Sequence, residues 1–249
     1  MRTLGVDLSA SPPRTAAVVI DWSAGRATVR TPLLGCTDEQ LLKLLSGLGE
    51  ADQAGVDCPF GWPAAFVAAM SSHAGPRPTW PGRDAEGADD LRAMRYRRTD
   101  LVVAPHAPRL PLSVSFDKLG AVAARWARLQ ALLEHLGHPV DRVGAGPVAE
   151  VYPAAARHQW GLTLGSVDEV RAAAPWLDIP EEARRLLATS RDAYDALIAA
   201  LVARAIKARL TTWPTADEAE LARTEGWIHF PGRDTLRHLA APTDLPSAG

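Results

Sequence analysis

Hydrophobic positions come in short runs near the N-terminus and in longer helical stripes beyond it. Residues 3–8 form a brief apolar run that carries Asp7, the pattern of a buried strand. Residues 9–14, rich in Ser and Pro, break that run as a turn. The β-branched run 15–21 predicts a second strand, and Ser23, Ala24 and Gly25 predict a hairpin-type turn. Residues 26–30 alternate polar and apolar, as a half-exposed third strand does. The three strands together read as an antiparallel meander. Thr37 then stands as a helix cap, followed by an apolar face of Leu41, Leu42, Leu44, Leu45 and Leu48. Residues 54–57 predict a fourth strand, stopped at Pro59. A strand–helix–strand unit of this length is compatible with parallel pairing.

Further along, Pro63 opens a helix over 63–70, with proline at its first position. Residues 73–112 are rich in Pro, Gly, Arg and Asp with little periodicity, and read as a loop-rich insertion. An amphipathic helix is predicted over 115–136 and a short strand over 148–152, ended by Pro153. Helical stretches follow at 153–160, 166–175 and 181–188. Residues 192–210 form the most apolar helix of the chain, and 225–230 a last short strand. The expected architecture is α/β, with a mixed five-stranded sheet, antiparallel over its first three strands and parallel after them. Helices cover both faces, and one domain spans 1–241. The tail 242–249 reads as flexible.

Composition narrows this picture. A chain of 249 residues with 47% hydrophobic content can bury a sizeable core. No apolar run reaches the roughly 18 residues of a membrane span, and the N-terminus lacks the apolar stretch of a signal peptide. Cys36 and Cys58 do not make a disulfide framework. A cytoplasmic chain with no membrane segment is the expectation. The net charge of −2 argues against a broad phosphate-contacting surface. A nucleic-acid partner would be held by local or transient contact. The tryptophans are scattered from Trp22 to Trp227 rather than clustered as a stacking platform. His135 and His138 lack a third partner for zinc, and no GxxxxGK[ST] loop is present.

The candidate chemistry lies in carboxylates set among apolar residues. Asp7 follows Gly-Val in the first strand, and Asp57 follows Gly-Val in the fourth. Glu150 sits inside VAEVYP. Asp192 and Asp195 open the apolar helix, three residues apart and so on one face. A buried, unpaired carboxylate is unfavourable, so such groups are paired, hydrogen-bonded or metal-bound. Other roles stay open for each. Asp7 and Asp57 could bond their own turns, and Glu150 could face solvent on an edge strand. Asp192 could close a capping box with Thr189 or simply favour the helix dipole. Taken together, neighbouring strand-end carboxylates repel unless a cation or a proton lies between them. Hard cations such as Mg²⁺ or Mn²⁺ take oxygen ligands, and paired metal ions serve phosphodiester cleavage.

GVD in the first strand, GVDCPFGWP, EVYPAA, RDAYDALIAALVAR and EGWIHFP together resemble the family called domain of unknown function 429. Its members are described as predicted nucleases of ribonuclease H-like fold, distantly similar to RuvC-type resolvases. The resemblance implies Asp7, Asp57 and Asp195 as metal ligands, with Asp192 one turn earlier on the helix and Glu150 in the narrower family's EVYP motif. Asp57 stands where the wider superfamily often has glutamate. The arginine-rich RAMRYRRTD suits a solvated face or a phosphate clamp. The family's Arg-x-Thr/Ser-Asp-like element here points to Arg98 and Asp100, with Arg95 beside them, as substrate-binding residues. The leading expectation is a divalent-metal-dependent phosphodiesterase, specifically a nuclease. A phosphotransferase or phosphatase of the same superfamily and a non-catalytic binding module are its rivals.

Overall fold

A computed structural model describes residues 1–78 and 88–241. The chain opens with an antiparallel ribbon of β1 (Arg2–Asp7), β2 (Ala16–Ser23) and β3 (Arg26–Val29). The two-residue β4 (Leu33–Leu34) pairs back on β2. Helix α1 (Asp38–Ser46) begins with a full capping box between Thr37 and Gln40, which satisfies free N–H groups of the first turn. It leads to β5 (Gln53–Asp57), parallel to β1. After α2 (Ala64–His73), α3 (Ala88–Arg95), α4 (Arg98–Val103) and α5 (Gly120–His135) comes β6 (Val148–Val151), parallel to β5. The rest is α6 (Pro153–Trp160), α7 (Val167–Ala173), β7 (Leu177–Asp178), α8 (Glu181–Thr189), α9 (Arg191–Lys207), α10 (Ala219–Glu225) and β8 (Ile228–His229). The sheet order is β7-β3-β2-β1-β5-β6-β8.

The period of two along a strand sorts its residues between two cores. Leu4 and Val6 of β1, with Leu8 just past its end, join Ala54, Val56 and Cys58 against Leu41, Trp126 and Leu129 of α1 and α5. The opposite face of the sheet packs on α9, which is buried at Ala193, Tyr194 and every position from Ala196 to Ile206. A helix apolar all round must be covered all round, and α6 and α8 complete that cover. Gly5 and Gly55 set how closely α9 approaches. A Cβ on Gly5 would overlap the Ala196 carbonyl, and one on Gly55 would come within 2.7 Å of the Ala199 carbonyl. With hydrogens in their place, the helix backbone rests on the strands.

The mixed sheet, the meander, the parallel fourth and fifth strands and the helices on both faces all follow the expectation. The strand count does not: the sheet has eight strands rather than five. The unexpected β4 and β7 are two residues each, too short to leave a period in the sequence. The 73–112 segment is less loop-rich than its composition suggested, since α3 and α4 lie in it. The expected last strand over 225–230 is mostly not strand; α10 runs through Glu225 and only Ile228 and His229 pair. Helix α9 is capped by Ser190, whose hydroxyl accepts from the Ala193 N–H. Thr189 does not cap it; its hydroxyl donates back to Arg185 O within α8. Residues 79–87 and the expected tail 242–249 lie outside the described residues. Among those described, no helix is long and apolar enough to cross a membrane, and Cys36 and Cys58 are free and buried.

Candidate functional site

The sequence Gly-Val-Asp occurs at the end of β1 and again at the end of β5, and the two copies are in register. Gly5 pairs with Gly55, Val6 with Val56 and Asp7 with Asp57. Adjacent strands lie about 4.8 Å apart, so the two aspartates stand side by side. By alternation each shares the face of its glycine, the α9 face. Chain direction does the rest. Helix α9 runs antiparallel to β1, so its first turns, carrying Asp192 and Asp195, lie over the carboxyl ends of β1 and β5. Strand order also turns at this point, with β2 and β3 on one side of β1 and β5 and β6 on the other. The carboxyl ends of strands at such a reversal are where open α/β sheets hold their ligands.

The electrostatics match the geometry. Asp7 has its carboxyl pushed up from 3.8 to about 8, by burial first and then by the charges of Asp195 and Asp192. Asp57 is raised well above the carboxylate range by burial, Asp7 and Asp195. Burial raises Asp195 as well, opposed by Arg157 of α6, which forms an ion pair with it. Arg157 is the basic group common to all three acids, with Arg14 also acting on Asp7 and Arg191 on Asp195, and the acids repel one another. Among the described residues, no three His, Cys, Asp or Glu side chains are gathered closely enough to hold a metal ion as they stand.

Glu150 does not join this cluster. It pairs in register with Val56, whose side chain faces α5, and parity sends Glu150 to that same face. There it is 2% exposed and bonded at both oxygens: Arg97 Nη2 donates to Oε1 at 2.7 Å, and the Phe60 N–H donates to Oε2 at 2.9 Å. Arg97, itself 2% exposed, is the centre of this second network. It also bonds both oxygens of Asp100 and the Glu225 carbonyl. Burial works against its charge, and Asp100 and Glu150 outweigh that and hold the guanidinium firmly protonated. Asp100 is thus already bonded at both oxygens. Arg98 is exposed and pairs with Glu218 at 2.7 Å, and Arg95 lies 3.7 Å from Asp117.

Arg97 is the buried arginine of this segment that sequence reasoning passed over. The Arg-x-Thr-Asp pattern counted from Arg97 rather than Arg98 would have found it. Thr99 of the same stretch is also buried, and its hydroxyl accepts from the Ile228 N–H at 2.8 Å. Tyr152 was passed over too. It lines, with Asp7 and Asp57, a cavity of about 250 Å³ whose far wall is apolar, including Leu112 and Val122. The Arg97 network forms part of the lining.

The fold and site define a mixed α/β protein with paired strand-end aspartates beneath the N-terminus of a buried helix. Residues 5–219 match the family model described as protein of unknown function (DUF429), and the chain belongs to that family. No curated protein and no solved structure matches it.

Proposed function

We propose that this chain is a divalent-metal-dependent phosphodiesterase of ribonuclease H-like fold, acting on nucleic acid through the carboxylates of Asp7, Asp57 and Asp195. The observation that carries the reading is the register of Asp7 with Asp57 beneath the first turns of α9. The inner strand order β3-β2-β1-β5-β6, antiparallel and then parallel, supports the fold assignment. Three carboxylates with no histidine or thiolate suit Mg²⁺ or Mn²⁺. A bound metal would supply an activated water and charge stabilisation for the leaving oxygen. Asp7 and Asp57 would hold it from the sheet and Asp195 from the helix, once Arg157 swings off Asp195. Freed, the Arg157 guanidinium would stand at the same edge as a partner for a phosphate oxygen. Asp192 would add negative charge from one turn earlier. Tyr152 and the apolar wall would receive the group beside the phosphate.

Two measurements test this. Mn²⁺ should raise the melting temperature of the wild-type chain but not of Asp7→Asn. Hydrolysis of labelled oligonucleotides in Mn²⁺ or Mg²⁺ should be abolished by the same substitution, and full activity in Asp7→Asn would overturn the mechanism. The Arg157–Asp195 ion pair favours a second reading, a non-catalytic binding module in which the guanidinium takes the cation's place. That reading requires Mn²⁺ to leave the wild-type melting temperature unchanged.

A further inference from the structure

At the end of the sheet opposite Asp7, α9 closes in a Schellman-type turn. The Arg209 N–H donates to the Ile206 carbonyl at 3.0 Å and the Leu210 N–H to the Ala205 carbonyl at 2.8 Å. The residue after the cap must be left-handed, and Arg209 has φ 59°. Glycine takes this conformation without steric penalty, yet arginine occupies it. Its guanidinium lies over the Trp213 ring, 4.2 Å from the centroid. The indole N–H of Trp213 is buried and has no acceptor among the described residues. Of the other unpaired indoles, Trp126 stacks on Phe60 in the core and the half-buried Trp176 packs at a tilt against Trp22. Trp213 differs in standing beside a guanidinium at a cavity wall.

That cavity, about 130 Å³, is lined by Arg209, Trp213, Lys207 and Gln53. It adjoins a wider hollow of about 340 Å³ that shares Lys207 and Ala145 and is bounded by Glu50 and Pro147. Neither Lys207 nor Arg209 forms an ion pair among the described residues. The Lys207 ammonium donates once, to the Glu50 carbonyl at 2.8 Å, which leaves two of its three hydrogens free. Two cations outside any ion pair among the described residues, one of them an arginine in a left-handed position, thus meet at one hollow with an indole donor that lacks an acceptor, and Glu50 borders its wider part.

We propose that this hollow is a binding site for a phosphate group. Its oxygens would lie between the Arg209 guanidinium, the Lys207 ammonium and the Trp213 indole N–H. The guanidinium fork matches phosphate geometry, and the indole nitrogen can only donate. The source is free phosphate or a small organic phosphate whose remainder fills the wider hollow. The site stands on its own chemistry and does not depend on the carboxylate reading. Along α9 it lies about 18 Å from Asp195.

Calorimetric titration of the full chain in EDTA with inorganic phosphate, and separately with ribose 5-phosphate, tests the site. Saturable binding should weaken at least tenfold in Arg209→Gly and in Lys207→Gln, and several-fold in Trp213→Phe, which keeps the ring and loses the N–H. Tighter binding of ribose 5-phosphate identifies an organic ligand, and equal binding identifies phosphate itself. Because glycine suits the backbone at this position, Arg209→Gly should melt no lower than wild type. Binding of neither probe, or binding that all three variants leave intact, would overturn the proposal. So would a lower melting temperature in Arg209→Gly with phosphate affinity unchanged, since the arginine would then serve only the helix end.

Discussion

Asp7 is stabilised in its protonated form, and this fixes the sign of its effect on stability. The metal-free folded chain holds a proton at Asp7 up to about pH 8, against an ordinary value of 3.8. Its contribution is therefore fully present below about pH 4 and is lost as pH rises through 8. Asp7→Asn should leave metal-free stability nearly unchanged at pH 4. The variant should gain on wild type as pH rises from 4 to 8, levelling off above pH 8 at up to about 6 kcal/mol. Urea unfolding in EDTA at several pH values reads this directly, and a gain independent of pH would rule out the charge as its cause. Arg97 has the opposite character. Removing it in Arg97→Met leaves Glu150 and Asp100 buried without their cation, which costs about 3–5 kcal/mol. The same denaturation experiment measures it, and a loss below about 1 kcal/mol would show that the network is not needed for stability.

Contact between elements depends on the two glycines beneath α9. Gly5→Ala places a methyl group against helix backbone, not against a movable side chain. Overpacking of this kind costs about 1–3 kcal/mol and occasionally more, and Gly5→Ala should fall at or above the top of that range. Gly55→Ala meets the Ala199 carbonyl at 2.7 Å and should cost less. Melting temperatures of the two variants give the order. The repeated Gly-Val-Asp was visible in the sequence, and so were both strands that carry it, because each is a short apolar run cut off by turn residues or proline. The placement of Glu150, expected among the catalytic acids, was not legible. Its neighbours Ala149 and Val151 are the residues that share the α9 face, so alternation alone turns Glu150 away from Asp57. Parity could not be used before the pairing register was known. Arg97 was hidden for a plainer reason. Four arginines within RAMRYRRTD look alike until burial selects one. The two-residue β7 owes its pairing to a partner far away in sequence, and no local pattern announces it.

Across the whole molecule, charge limits how a nucleic acid could be held. A net charge of −2, with Arg98 paired to Glu218 and Arg97 buried among acids, leaves little surface for tracking phosphates. Each neutralised phosphate contributes about −0.9 to the slope of log affinity against log salt. Binding of a short oligonucleotide with Mg²⁺ should show a slope no steeper than about −2, measured by fluorescence anisotropy across a salt series. A slope near −6 would mean an extended basic track and a different docking surface. Specificity would then fall to the cavity beside Asp7 and to whatever chemical group its apolar wall accepts.

The packing of α9 on β1 has a consequence for how the chain reaches its native state. The first strand leaves the ribosome long before residues 191–207 exist, yet its glycine floor is covered by that late helix. Contacts so far apart in sequence slow folding, and an uncovered apolar sheet face is open to association in the meantime. The nascent protein is accordingly expected to stay dependent on a holding chaperone until α9 has emerged. Ribosome-bound chains stalled before Arg191 should remain protease-sensitive, and those stalled after α9 has cleared the exit tunnel should become resistant.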